Sequence, residues 1–318
     1  MSSVAKIFKY IFNSDYRFLQ NANRGGYKKW SDERLVRRRY RAVLHRELNL
    51  ENPQRFSEKM QWLKLHDHQE RYSVIVDKVA AKKHIADLVG EEYVVPTLGV
   101  WDSFDEINFD ELPEQFVLKC THDSASYVIC RDKSRFDKKK AKKRLEQALK
   151  INFYYRNREW PYRNVPPRII AEVYLSDTNQ NEAGCSLVDY KFFCFDGVPK
   201  AMFISKECGD THVTDWFDME YNHLPIKMAN PHADVPPAKP EKFEDMVRLA
   251  TILSQNYPQI RVDFYQVNGK LYVGELTLYH SGGFFEIHPE EWDIKMGGWI
   301  SIDGIKTCNL DQTHFDSK

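Results

Sequence analysis

Two polar couples late in the chain have the residue types and spacing to do chemistry. Arg261 and Asp263 stand two apart in an apolar, aromatic run, and Glu275 and Thr277 repeat that spacing in a second run. Alternate residues of a strand share one face. Asn268 and Gly269 between the runs are a strong signal for a tight hairpin turn, which lays the couples side by side. Two carboxylates on one sheet face repel unless a cation sits between them. Their oxygens suit Mg²⁺, which binds through one or two carboxylates and keeps several waters. Arg261 paired to Asp263 or Glu275 on an exposed sheet face explains the same pattern, and spacing alone leaves both readings open.

The lysines add a second signal. Lys119 ends an apolar run at 116–120, and the polar stretch 121–126 separates it from another strand-like run. Such loops can turn backbone N–H groups toward phosphate oxygens. Lys191 lies inside an aromatic run, where a cation is costly unless paired or bound to an anion. Lys78 opens a helix, where a cation opposes the helix dipole unless an anion is near. Each lysine alone reads as a surface residue. Three of them upstream of a carboxylate couple point to a nucleoside triphosphate carrying Mg²⁺.

The elements that must hold these residues follow from periodicity and turn chemistry. Helical patterns cover 57–66, 76–89 and a basic stretch N-capped by Asp137 and running through Leu149; another starts at Pro240. Strand patterns cover 116–118, 127–130, 168–175, 189–195, 200–205, 260–267 and 271–278, with Asp196 and Gly197 marking a second hairpin. The order gives an α+β fold, with antiparallel hairpins dominating the second half. Val4, Ile7, Phe8, Ile11 and Phe12 follow helical spacing. That stripe docks on the core, the commoner arrangement, or lies on a membrane surface with Lys6 and Lys9 toward the headgroups.

The 318 residues contain 42% hydrophobic and 29% charged residues, which fits a soluble globular chain and excludes a largely disordered one. Lys+Arg and Asp+Glu both number 46, so no global bias advertises nucleic acid. Basic runs at 28–46 and 131–144 read as solvated helix faces or as an approach surface for an anionic ligand. No apolar run is long enough to span a membrane, and the start lacks the unbroken apolar core of a secretory signal. The six cysteines, Cys120, Cys130, Cys185, Cys194, Cys208 and Cys308, show no Cys-x-x-Cys spacing and read as free thiols in a reducing cytoplasm. Walker, dinucleotide, nucleophile-elbow and His-Glu-x-x-His motifs are absent, as is Asp-x-Asp, which weakens a metal-dependent sugar transferase. His66 and His68 read as exposed helix-end histidines.

With these residues in view, the chain resembles the ATP-grasp superfamily, and within it the teichuronopeptide-biosynthesis (TupA-like) branch of polysaccharide-biosynthesis proteins. The matching stretches are 52–65 (NPQRFSEKMQWLKL), 76–78 (VDK), 99–102 (GVWD), 116–120 (FVLKC), 168–172 (RIIAE), 189–195 (DYKFFCF), 261–265 (RVDFY) and 274–277 (GELT). The resemblance implies an ATP-grasp fold in which two α+β lobes grip ATP. It divides the chain into a helical extension (1–50), an N-terminal ATP-grasp part (51–115), a lid subdomain (116–175) and a C-terminal catalytic subdomain (176–318). By resemblance, Lys78 and Lys119 contact ATP phosphates, and the loop bearing Thr121, Ser124 and Ser126 is the phosphate lid. Glu172, Tyr174 and their neighbours present backbone groups to adenine, and Lys191 lies near the nucleotide. Asp263, Glu275 and Thr277 ligate Mg²⁺, while Arg261 faces the γ-phosphate or acyl phosphate.

The sequence departs from the wider superfamily twice. The lid has no glycine, and Thr277 stands where an asparagine ligand is usual, which leaves room for one metal rather than two. The implied reaction is an ATP-dependent carboxylate–amine ligation through an acyl phosphate. It joins a uronic-acid carboxyl of a surface or capsular polysaccharide, or its precursor, to an amino acid or small amine. Such a ligase works in the cytoplasm, with the inner face of the membrane an open alternative through residues 1–20. A sugar kinase using His122, Asp123 or His280 as base is a second reading, and a glycosyltransferase a third. A non-catalytic nucleotide-binding component is a fourth.

Overall fold

The computed structural model describes residues 3–177 and 185–305; Cys308 lies outside them, as do the side chains of Val4, Lys6 and Ile7. Three helices open the chain: α1 (Ser3–Phe12), α2 (Ser14–Asn23) and α3 (Asp32–Leu44). Then come α4 (Phe56–His66), α5 (Arg71–Val76), α6 (Lys78–Val89), β1 (Thr97–Trp101), β2 (Phe116–Cys120), β3 (Tyr127–Cys130), α7 (Lys138–Leu149), α8 (Tyr154–Asn157) and β4 (Ile169–Val173). The second half runs β5 (Asp189–Phe195), β6 (Val198–Cys208), β7 (Thr211–Phe217), β8 (His223–Leu224), α9 (Phe243–Leu253), β9 (Ile260–Val267), β10 (Lys270–Thr277) and α10 (Glu290–Gly298). The α+β reading therefore holds.

Among the described residues the strands form two antiparallel sheets, one ordered β1-β4-β2-β3 and one ordered β10-β9-β5-β6-β7-β8. Alternation along β2 decides what the smaller sheet shows on each face. Phe116, Leu118 and Cys120 are buried with Ala141, Leu145 and Ala148 of α7, so Lys119 points the other way. The larger sheet is covered on both faces. Phe192 meets Phe243 of α9 on one side, while Phe193 meets Phe56 of α4 on the other. Both hairpins close on the expected turns. Asp196 and Gly197 have φ of 50° and 79°, and Asn268 and Gly269 have 49° and 77°, the positive pair that a type I′ turn requires.

The helix expected over 76–89 breaks at Asp77, because its carboxylate caps α6 by accepting from the Val79 amide at 3.0 Å. The three opening helices are anchored to the body. Tyr154 donates to Asp32, and Arg158 reaches the carbonyls of Tyr27 and Trp30. Within the basic run at 28–46, Arg38 pairs with Asp15 and Arg39 donates to the Arg156 carbonyl, while Lys28, Lys29, Arg34 and Arg41 are exposed. The solvated-face reading fits those four and misses the bonds made by Arg38 and Arg39. The described side chains of the N-terminal stripe do not dock as expected. Phe8, Ile11 and Phe12 are 61%, 55% and 76% exposed.

Two further expectations are corrected. Cys185 and Cys208 form a disulfide, so the six cysteines are not all free; Cys120, Cys130 and Cys194 are buried thiols. The partners lie 23 residues apart in no motif, and only the strand that brings them together reveals the pair. His66 and His68 are partly buried rather than exposed, against Trp62 and Trp160 respectively. No helix among the described residues is long and apolar enough to cross a membrane.

The junction of α10 with α4 offers a sharp test of packing. A Cβ on Gly297 would overlap the Gln54 carbonyl oxygen and sit 2.7 Å from the Phe56 amide nitrogen, whereas one on Gly298 would meet nothing. Gly297→Ala is expected to destabilise the fold by about 1–3 kcal/mol. Gly298→Ala should leave it within ~1 kcal/mol of the parent or slightly more stable. Urea denaturation of the two variants checks the contrast.

Candidate active site

The hairpin of β9 and β10 brings its polar couples together. Asp263 stands opposite Glu275 and Arg261 opposite Thr277, with a bulge at Gly274 absorbing the register shift. β5 adds Lys191, opposite Asp263 on its other side. The three strands thus place Arg261, Asp263, Lys191, Glu275 and Thr277 on one face.

Arg261 forks onto Asp263, with Nε 2.6 Å from Oδ1 and Nη2 2.7 Å from Oδ2. Lys191 Nζ is 2.7 Å from Asp263 Oδ2 and 3.2 Å from Asp189. The cation between the strands is therefore the guanidinium. Its Nη2 also donates to the Thr277 hydroxyl at 3.0 Å, and its Nη1 contacts His280 Nδ1. Glu275 is half-exposed and 4.0 Å from Arg261, beyond hydrogen-bond reach. Burial pushes the Asp263 pKa up, but Arg261 and Lys191 overcome it and hold it below the usual carboxylate range. Burial acts to lower Lys191 and Arg261, yet Asp263 raises both above their ordinary values. Asp263 is thus held anionic, and Lys191 and Arg261 cationic.

A second cluster lies on the face of the small sheet turned away from α7. Glu172 of β4 is buried between Lys119 of β2, at 2.5 Å, and Lys82 of α6, at 2.7 Å. Burial raises the Glu172 pKa, and the two ammonium groups more than reverse that. Lys82 escaped the sequence reading, although it follows Lys78 by one helical turn and shares its face. The Glu172 side chain binds lysines, and the Val173 amide is taken by the Pro96 carbonyl. The Tyr174 hydroxyl accepts from Arg131 Nε at 3.1 Å.

The loop 121–126 sits at the start of α6. Lys78 donates through its side chain to the Asp123 carbonyl and through its amide to the Thr121 carbonyl. Thr121 is fully buried, with its hydroxyl donating to the Pro166 carbonyl and accepting from the Arg168 amide, so its side chain anchors the loop. That corrects its placement among phosphate-facing groups. Ser124 is exposed and Ser126 partly so. In this glycine-free loop Ala125 adopts φ 85°, a conformation that glycine takes without strain. His122 is buried, its Nε2 facing the carbonyls of Ala148 and Ile151, so it is no base for an acceptor hydroxyl.

Two features tie the clusters into one region. The Tyr162 hydroxyl has its pKa raised first by burial, then by Glu159, Glu275 and Asp123, with Arg261 opposing. It therefore lies within electrostatic reach of both the loop and the late hairpin. The tip of that hairpin holds the chain leaving β4: Asn268 donates through its side chain to the Ser176 carbonyl at 3.0 Å.

A family model described as TupA-like ATPgrasp matches residues 58–301. A comparison with curated proteins gave no match. Solved structures similar to the chain include the D-alanine–D-alanine ligase of Bacillus anthracis complexed with ATP, at 16% identity and TM-score 0.38, covering 65% of this chain and 54% of that one. Another is N5-carboxyaminoimidazole ribonucleotide synthetase of Thermus thermophilus, at 14% identity and TM-score 0.34, covering 64% and 45%. The D-alanine–D-alanine ligase of Helicobacter pylori gives 12% identity and TM-score 0.40, covering 77% and 69%. The chain spans about half the length of the first of these.

The buried histidines set an acid limit on the fold. Burial lowers His280 well below its ordinary value near 6.5, with Arg261 adding to the effect, and burial also lowers His66, His68 and His84. The unfolded chain then binds more protons than the folded one below pH 6.5, so stability falls as the pH falls through that value. Urea midpoints between pH 7.5 and 5.5 should show the loss, and His280→Gln should make it shallower.

Proposed function

The chain belongs to the TupA-like ATP-grasp family, and on that premise we propose that it is an ATP-dependent carboxylate–amine ligase. The proposed acceptor is a uronic-acid carboxyl of a surface or capsular glycan or its precursor, and the amine an amino acid or other small amine. The observation that carries the reading is the Arg261–Asp263–Lys191 cluster in register with Glu275, opposite a loop anchored by Lys78. The acceptor class rests on the resemblance to the teichuronopeptide branch.

The donors present fit Mg²⁺. Glu275 lies beyond hydrogen-bond distance of Arg261, and a carboxylate has about four acceptor positions, of which Asp263 commits three to Arg261 and Lys191. Asp263 and Glu275 would hold the ion. Thr277 orients Arg261 and is the weakest of the three donors. When bound, the ion neutralises charge on the phosphate oxygens.

Lys78, Lys119 and Lys191 are proposed to hold phosphate oxygens, and the backbone at Tyr174 and Leu175 to receive adenine. The loop bearing Ser124 and Ser126 would close over the phosphates. In the first step a substrate carboxylate oxygen attacks the γ-phosphorus of ATP, the bond to the β-phosphate oxygen breaks and ADP leaves. In the second an amine attacks the acyl carbon, phosphate departs and the amine loses a proton. Arg261, which stays protonated, stabilises the anionic oxygens in both steps. Lid closure over the acyl phosphate excludes water. The units 51–115, 116–175 and 176–318 are proposed as the gripping parts, with β1 completing the lid sheet. A kinase needs a base: His122 faces the Ala148 and Ile151 carbonyls and Arg261 occupies Nδ1 of His280, which leaves Asp123, with its buried and unbonded Oδ1, as the candidate that keeps the kinase the second reading.

ADP release should require both a uronic acid and an amine. Glu275→Gln should lower turnover by about 100-fold or more with an unchanged circular dichroism spectrum. Lys119→Ala should raise the KM for ATP about tenfold, the scale of one charge-assisted contact. Full activity of Glu275→Gln sinks the metal assignment, and a phosphorylated sugar formed without amine turns the reading to a kinase.

We further propose that α1 rests on an anionic lipid surface at the inner face of the membrane. The support is the exposure of Phe8, Ile11 and Phe12 on a helix that also carries Lys9. Sedimentation with phosphatidylglycerol vesicles should capture the parent and lose Phe8→Asp/Phe12→Asp. Equal capture of both, or of neither, removes this proposal without touching the ligase reading.

A further inference from the structure

On the face of the large sheet turned away from the hairpin cluster, three potential ligands converge. Asp263, Lys191, Phe203 and Trp216 pair in register across β9, β5, β6 and β7, so they share one face and Asp215 takes the other. His223, opposite Phe217, joins Asp215 there, and His232 approaches from the loop after β8. One donor atom from each of the three lies within 4.8 Å of the others.

The polar bonds around the trio leave it poised for an ion. Asp215 is 1% exposed, and its partners are His223 Nε2 at 3.0 Å from Oδ1 and the Ala233 amide at 3.2 Å from Oδ2. The ion pairs of the described residues give it no lysine or arginine. A buried carboxylate calls for a positive partner. His232 Nε2 lies 2.8 Å from the Ile226 carbonyl, an arrangement that assigns its proton to Nε2 and leaves the Nδ1 lone pair free. A backbone carbonyl holding the far nitrogen is the usual support of a metal-bound imidazole. The rings of His223 and His232 cross at 4.8 Å between centroids.

We propose that Asp215, His223 and His232 bind a zinc-type divalent ion that fastens the 225–233 loop to β7. Two imidazoles and one carboxylate suit Zn²⁺ rather than Mg²⁺. Tetrahedral zinc spaces its ligand atoms by roughly 3.3 Å, close to the 3.0 Å between His223 Nε2 and Asp215 Oδ1. The third donor closes by roughly 1.5 Å at most to complete that spacing. The partly exposed His223 leaves the fourth position to water. Thr214 already accepts from Asn230 through its hydroxyl and donates its amide to the Pro231 carbonyl, so the loop is wound on the strand before an ion arrives.

Full-length protein stripped with EDTA and titrated with Zn²⁺ alone should bind one equivalent and gain thermal stability. Co²⁺ should give the visible absorption of a tetrahedral site. His232→Ala and the more exposed His223→Ala should each weaken uptake on the order of 100-fold or more, while His66→Ala/His68→Ala should leave it unchanged. Absence of stoichiometric uptake by the parent overturns the proposal, as does uptake that survives in folded His223→Ala. The readout involves no nucleotide turnover, so its failure is separate from failure of the ligase reading.

Discussion

Asp263 carries a charge where burial alone would remove it. The Arg261 fork and the Lys191 ammonium overcome the desolvation, and neither cation keeps its own buried place without the carboxylate. Removing one partner of such a set costs about 3–5 kcal/mol, because it strands a charge rather than because the pair adds much net stability. This mutual dependence fixes the guanidinium on its strand, so that Nη2 also reaches Thr277 and the remaining nitrogen, Nη1, meets His280. It leaves Glu275 as the hairpin carboxylate that no cation of the described residues reaches within hydrogen-bond distance.

The same arrangement recurs in smaller form on the other sheet, where Glu172 is shared by Lys82 and Lys119. Both clusters are cations held in place by a buried carboxylate. In each, the shared carboxylate orients the cationic groups before any ligand arrives. The loop 121–126 differs. Thr121 and Lys78 fix its root, while its crest is exposed and carries the strained Ala125.

Legibility in the sequence followed the range of the interaction. The two type I′ turns, the Asp137 cap and the alternation of β2 are set within a few residues, and each was readable; the Asp77 cap is as local, yet the helical pattern runs through it. The pairing of Arg261 with Asp263 is likewise two residues long, so the ion pair was one of two readings available from spacing. Long-range partnerships were not readable. Glu172 looked like a backbone element until tertiary packing set Lys82 and Lys119 against it. Thr121 looked like a phosphate group until Pro166 and Arg168 claimed its hydroxyl.

The sequence by itself determined which strands turn back on themselves and which side chains share a face, because φ preference and a two-residue period are local. The meeting of Asp263 with Glu275 needed in addition the bulge at Gly274, which shifts the register by one residue. Only the tertiary structure decided that the guanidinium of Arg261 stands with Asp263, that Phe8, Ile11 and Phe12 face outward, and that Cys185 joins Cys208. It also decided that Asp215 gathers two histidines behind the sheet. Those outcomes depend on which distant segments exclude water from one another, and no local pattern in the chain encodes that.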